Sequence, residues 1–152
     1  MGRTIIVRDA HPPVVLVVEV ALDPLDVGIE FEPHAAEPVI DHLGHPLEAG
    51  SEQEYSIIEK WGGFPNTIIK LSNLGVISDH PDPGVKPYVN QMIKAYGPDR
   101  VIWGSDHKTG STPEIYREKL DYAMSFLAEF SKEDKDKVFG GNAFRLFGKG
   151  WN

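Results

Sequence analysis

The chain has no cysteine among its 152 residues, which removes disulfides, thiolate zinc sites and a cysteine nucleophile. Such a composition fits a cytoplasmic protein, and that is the expected location. Lysine and arginine form no run, and the formal net charge is −8. Phosphate-rich partners are held by clustered positive charge, so neither nucleic acid nor a membrane surface is expected to bind. Long apolar runs are also missing. The longest, VVLVVEVAL at residues 14–22, is interrupted by Glu19 and falls far short of the ~20 residues that span a bilayer. It follows Arg3 and Arg8, as a signal peptide's apolar stretch would, yet no small-x-small cleavage pattern comes after it. It reads as a buried strand. Neither H-x-H, H-E-x-x-H, G-x-S-x-G nor a phosphate-cradling glycine loop occurs.

What is present is the make-up of one globular domain, 41% hydrophobic and 25% charged. Residues 1–37 are irregular, with one strand, and three prolines, at 24, 33 and 38, come after it. From residue 38 the pattern becomes rhythmic. PVIDHLG (38–44) is a β-type run stopped by Gly44 and Pro46. Ser51 and Glu54 then have capping-box spacing, Tyr55, Ile58 and Trp61 share a helical face, and Gly62 ends the helix. TIIKLSNLG (67–75) is the next β-type run, and Val85, Val89, Met92, Ile93 and Tyr96 recur at helical spacing. RVIWGSD (100–106) is the third such run. Thr112 and Pro113 open a helix with an apolar stripe of Tyr116, Leu120, Ala123, Leu127 and Phe130. Ser131 and Asp134 open another, and Asn142 is placed to cap a last apolar turn, AFRLFG. Strands alternating with helices predict a parallel sheet with helices packed outside, in the α/β class.

Side chains alternate along a strand, so Ile40 and His42 share a face and Asp41 takes the other. By the same rule Ile68, Lys70 and Ser72 align, as do Ile102, Gly104 and Asp106. If the sheet curls into a barrel, the carboxyl ends of its strands open onto a loop-built mouth, with His42 and Asp106 there and Lys70 or Ser72 between them. A carboxylate closing an apolar strand is either a turn or cap residue, or a group that meets water, a cation or a substrate. Imidazole and carboxylate are metal ligands, and the carboxylate is equally a general base toward a water attacking a carbonyl. His42 read blandly is a hydrogen-bonded histidine near the core. Lys70 read blandly is an ion-paired lysine. His45, His80 and His107 sit in loop-like contexts beside Pro, Asp or Gly.

In order, VIDHLGHP, IIKLSNLG, RVIWGSDH and VFGGNAFRLFG resemble the carboxyl-terminal half of the amidohydrolase-related family, the branch that holds lactonases and some decarboxylases. The resemblance covers residues 38 to about 148. It implies a partial (β/α)8 TIM-type barrel made of about strands five to eight, with residues 38–44, 67–73 and 100–106 similar to strands six, seven and eight. The whole chain, 1–152, would then be a single incomplete domain, since a complete barrel takes about 250 residues. The resemblance further implies a hydrolase acting on the lactone, ester or amide carbonyl of a small molecule. Asp106 matches the family's metal-binding or water-activating aspartate, and His42 its metal- or substrate-binding histidine. Both are thereby catalytic and metal-ligand candidates, with a divalent metal such as zinc in some members and none in others. The family's first strand ends in H-x-H, which this sequence lacks, so a truncated or split form is expected. The alternative is a non-catalytic half-barrel that forms a homo-oligomer or pairs with a complementary subunit, because an opened barrel bares strand edges and the apolar interior around Ile40, Ile68 and Ile102.

Overall fold

The computed structural model describes residues 17–18, 37–46, 52–75 and 84–148. Ser51, His80 and nearly all of the first 37 residues lie outside that set. Four strands, β1 (Val17–Val18), β2 (Val39–Ile40), β3 (Ile68–Leu71) and β4 (Val101–Trp103), form one sheet in the order β1-β2-β3-β4. Every neighbouring pair is parallel, with Val17 opposite Val39, Val39 opposite Ile68, and Ile69 opposite Val101. Helices α1 (Glu52–Trp61) and α2 (Lys86–Tyr96) connect β2 to β3 and β3 to β4, and α3 (Pro113–Phe126) follows β4. The chain ends its described part with α4 (Lys132–Asp136), a π-helical turn at Lys137–Gly141 and α5 (Asn142–Phe147). The predicted α/β alternation and parallel sheet are therefore observed.

Both faces of the sheet are buried, as a parallel sheet with crossover helices requires. On one face Ile40, Ile69, Leu71 and Val101 pack with Tyr55, Ile58 and Trp61 of α1, Val89, Met92, Ile93 and Tyr96 of α2, and Ala123 of α3. On the other, here the inner face, Val39, Ile68 and Ile102 pack with Leu146 of α5. This reverses the expected phase of β2: Val39 faces inward and Ile40 faces the helices. Two adjacent apolar residues give a two-residue strand no alternation to read. Nor is the apolar interior bare, since Val39, Ile68 and Ile102 are all buried.

Local signals explain several helix ends. Thr112 accepts from the Ile115 amide and Ser131 from the Asp134 amide, each taking up an amide the first turn leaves without a partner. Gly97 closes α2 by donating to the Ile93 carbonyl. At Gly62 the reason is space, because a Cβ there would lie 2.7 Å from the Ala95 carbonyl oxygen where the end of α1 meets α2. Asn142 departs from expectation. It caps nothing; its buried amide donates to the carbonyls of Pro98 (2.7 Å) and Val101 (2.8 Å), tying α5 to the start of β4. The last turn is also less buried than its composition suggests, with Leu146 inside and Phe144 76% exposed. Arg100 ties the loop after α1 to the entry of β4 by donating to the Gly62 and Phe64 carbonyls. No helix among the described residues is long and apolar enough to cross a membrane.

Candidate active site

The strands place their functional residues at one end. Beyond Ile40 the chain leaves the sheet at once, and the Asp41 carboxylate caps the turn by accepting from the His42 amide at 2.9 Å. Among the described residues, the non-glycine positions with positive φ are His42 (49°), Leu43 (57°), His45 (54°), Asn73 (57°) and Asp106 (48°). All five follow the carboxyl ends of β2, β3 or β4. Side chains raise the energy of this left-handed conformation, and such strain collects where a protein holds groups for function. Tyr55 helps to hold the first turn, its buried hydroxyl donating to the Leu43 carbonyl at 2.7 Å.

Asp41 is the centre of the arrangement. Its Oδ1 lies 2.9 Å from Lys70 Nζ and 3.2 Å from Ser72 Oγ, and Ser72 Oγ is 2.8 Å from His42 Nδ1. His42 Nδ1 is itself 3.4 Å from Asp41 Oδ1. The sequence reading put Asp41 on the face opposite His42; the structure corrects this. With Val39 inward, Asp41 two residues later is inward too, and the left-handed turn then swings His42 round to the same cluster. A lysine on the inner face of β3 calls for a counter-charge, and that was the signal by which Asp41 could have been found. Burial alone would raise the Asp41 pKa, but its hydrogen bond and attraction to Lys70 outweigh this and hold the carboxyl below its ordinary value. His42 is held below the usual histidine range, first by burial and then by Lys70, against the pull of Asp41 and Asp106.

Asp106 stands at the same end, three residues beyond β4, and its charge reaches the His42 ring. Its carboxylate is 26% exposed, with Lys108 Nζ 3.6 Å from Oδ2. Lys119 of α3 donates to the Asp106 backbone carbonyl at 3.0 Å, bracing the left-handed residue. Asp106 also lines a cavity of about 410 Å³ with Asn73, Leu74, Trp103, Ser105 and Lys119. His42 is not part of that wall, so the two residues share a rim without sharing one pocket. His107 and His45 sit beside them in sequence; His107 lies against Tyr116 and His45 edge-on to His42. Zinc takes three or four protein ligands. No group of three histidine or acidic side chains among the described residues is arranged to hold a metal. His42 and Asp106 supply at most two, so these residues by themselves do not fit such an ion.

His42 and Asp106 thus follow the carboxyl ends of β2 and β4 in a parallel α/β sheet, and similarity to known proteins places the chain further. The sequence model of the amidohydrolase family Amidohydro_2 matches residues 31–149. The chain belongs to that amidohydrolase family. It is 31% identical over 117 residues to the L-fucono-1,5-lactonase of Burkholderia ambifaria, covering 72% of this chain and 40% of that protein. It is 27% identical over 118 residues to the 4-sulfomuconolactone hydrolase of Hydrogenophaga intermedia, covering 73% and 39%. The chain thus spans about two fifths of the length of these relatives. A crystal structure of an amidohydrolase from Burkholderia multivorans with bound zinc shares the fold, with a TM-score of 0.62 at 21% identity over 75% of this chain and 44% of that one.

Proposed function

We propose that the chain forms the carboxyl-terminal part of a hydrolase site acting on a lactone, ester or amide carbonyl of a small molecule. In this reading β1 to β4 are strands five to eight of a partial (β/α)8 barrel, and the parallel pairing of Val17 with Val39 supports extending the series back to β1. The carrying observation is Asp106, a carboxylate at the end of β4, held in a left-handed conformation in the wall of a cavity of about 410 Å³, within the size of small-molecule sites. The Asp106 carboxylate takes a proton from water as the water oxygen bonds to the carbonyl carbon. Collapse of the tetrahedral adduct breaks the bond to the leaving oxygen or nitrogen, which recovers that proton from Asp106. His42 contacts the substrate. The groups that polarise the carbonyl come from residues outside those described or from a partner, and a divalent metal such as zinc would need ligands from the same source.

The lactone activity named for the two relatives supports the substrate class. The test is hydrolysis of lactone and aryl-ester panels, with and without added zinc, by the wild-type chain and Asp106→Asn. Loss of a general base lowers rates roughly 100-fold or more. Equal rates for the two proteins, or no hydrolysis in any condition, would count against the assignment.

A second reading starts from the strand order, in which β1 and β4 are the outer strands among the described residues. Exposed edges pair with available strands, which fits a non-catalytic half-barrel that self-associates or joins a complementary subunit. Light scattering after size exclusion separates the readings, because a stable monomer is incompatible with obligatory self-association.

A further inference from the structure

We infer that Asp41, Lys70 and Ser72 are positioning residues that hold the His42 imidazole in its Nδ1–H tautomer, leaving Nε2 as a hydrogen-bond acceptor. The inference rests on the reading of His42 as a substrate contact only for its consequence; the tautomer itself follows from the hydrogen bonds. Asp41 Oδ1 receives three donors: Lys70 Nζ at 2.9 Å, the His42 amide at 2.9 Å and Ser72 Oγ at 3.2 Å. An ionised carboxylate has no proton to give, so the single Ser72 hydroxyl proton points to Asp41. Ser72 Oγ is then an acceptor toward His42, and the 2.8 Å contact requires hydrogen on Nδ1.

The reverse assignment is electrostatically poor. With the Ser72 proton on the line to Nδ1, the hydroxyl lone pairs would face the Asp41 carboxylate at 3.2 Å. The Nδ1 lone pair would face the same oxygen at 3.4 Å. Lys70 completes the chain by keeping Asp41 an anion, and Gly104 on the adjacent strand makes room for it, since a Cβ there would lie 2.5 Å from Lys70 Cε. The ordering Lys70 to Asp41, Ser72 to Asp41 and His42 to Ser72 is thus one directed network joining the carboxyl ends of β2 and β3. It is the arrangement by which a neighbouring group sets which imidazole nitrogen carries the proton.

The chemical consequence is specific. Nε2 accepts and does not donate, so His42 recognises an O–H group, either the attacking water or a substrate hydroxyl, and does not act as an oxyanion donor. The test is nitrogen NMR of the ¹⁵N-histidine-labelled full chain at pH 8 without substrate, with His42→Gln assigning the signals. The wild type is expected to show a protonated Nδ1 and an unprotonated Nε2. Ser72→Thr keeps that pattern and Ser72→Ala mixes the tautomers. Asp41→Ala removes the oxygen that takes the Ser72 proton and mixes the tautomers as well. A wild-type ring protonated on Nε2 overturns the inference, as does an unchanged Nδ1–H ring in both Ser72→Ala and Asp41→Ala. The spectra are read without turnover, so a chain that hydrolyses nothing can still pass or fail. Among hydrolysed substrates, a preference for hydroxylated over unsubstituted lactones that Ser72→Ala abolishes assigns the acceptor to a substrate hydroxyl; equal loss on both assigns it to water.

Discussion

Gly104→Ala separates the electrostatics of the rim from its stability. Gly104 does not have a left-handed backbone, so alanine meets no positive-φ penalty there, and the smaller unfolded-state entropy favours folding by about 0.4–1 kcal/mol. The new Cβ would lie 2.5 Å from Lys70 Cε and 3.5 Å from both Lys70 Cδ and Ser72 Cβ. Ordinary carbon contact is about 3.5 Å or more, so only the end of a flexible lysine has to move, by roughly 1 Å. Its ammonium, 2.9 Å from Asp41, loses that contact. The two side chains are 30% and 20% exposed, and ion pairs open to water contribute up to about 1 kcal/mol. The two effects nearly cancel, so the expected change in unfolding free energy is within about 1 kcal/mol. The Asp41 carboxyl behaves differently: without Lys70, the hydrogen bond and attraction that offset burial are lost and its pKa rises. Denaturant unfolding measures the first quantity and a ¹³C-carboxyl NMR titration the second. A loss above about 3 kcal/mol would mean that backbone, not lysine, had yielded; an unmoved Asp41 titration would mean that Lys70 does not govern it.

Asn142→Ala leaves the Pro98 and Val101 carbonyls without their buried donor. At about 1–3 kcal/mol for a buried group left unpaired, urea unfolding should show a loss of that order, and a change under about 0.5 kcal/mol would refute the tie. The pH dependence has a definite sign. The folded-state pKa of His42 is depressed, so the unfolded chain binds its proton first as pH falls, and stability present above the ordinary histidine value is lost below it. His42→Gln should fall less steeply than wild type between pH 8 and 5, and parallel curves would contradict the assignment. Asp41 adds a second loss of the same sign at lower pH, below the ordinary carboxylate range.

The strand–helix rhythm, the Thr112 and Ser131 caps and the strand-end positions of His42 and Asp106 were all legible from residue types, because each depends on local periodicity or on one capping hydrogen bond. The phase of β2 was not. Val39 and Ile40 are equally apolar, and only pairing with Ile68 and Ile69 decides which faces inward. That one uncertainty hid Asp41, whose partners lie about thirty residues along the chain on β3. Asn142 misled for a related reason: at a helix start it looks like a cap, whereas its actual acceptors, Pro98 and Val101, come from a distant segment. Family kinship was readable because it rested on several short strings in order.

The left-handed residues at the rim carry a consequence for anyone selecting variants. Glycine relieves the backbone penalty at such positions, by roughly 1 kcal/mol each, so heat resistance chosen by itself would drift toward glycine at 42, 45, 73 and 106, while Leu43, buried in the core, would lose more in packing than it gained. Two of those replacements delete the imidazole and the carboxylate. A thermally improved descendant of this chain would thus tend to be the one least able to do chemistry, and a screen should score turnover and melting together.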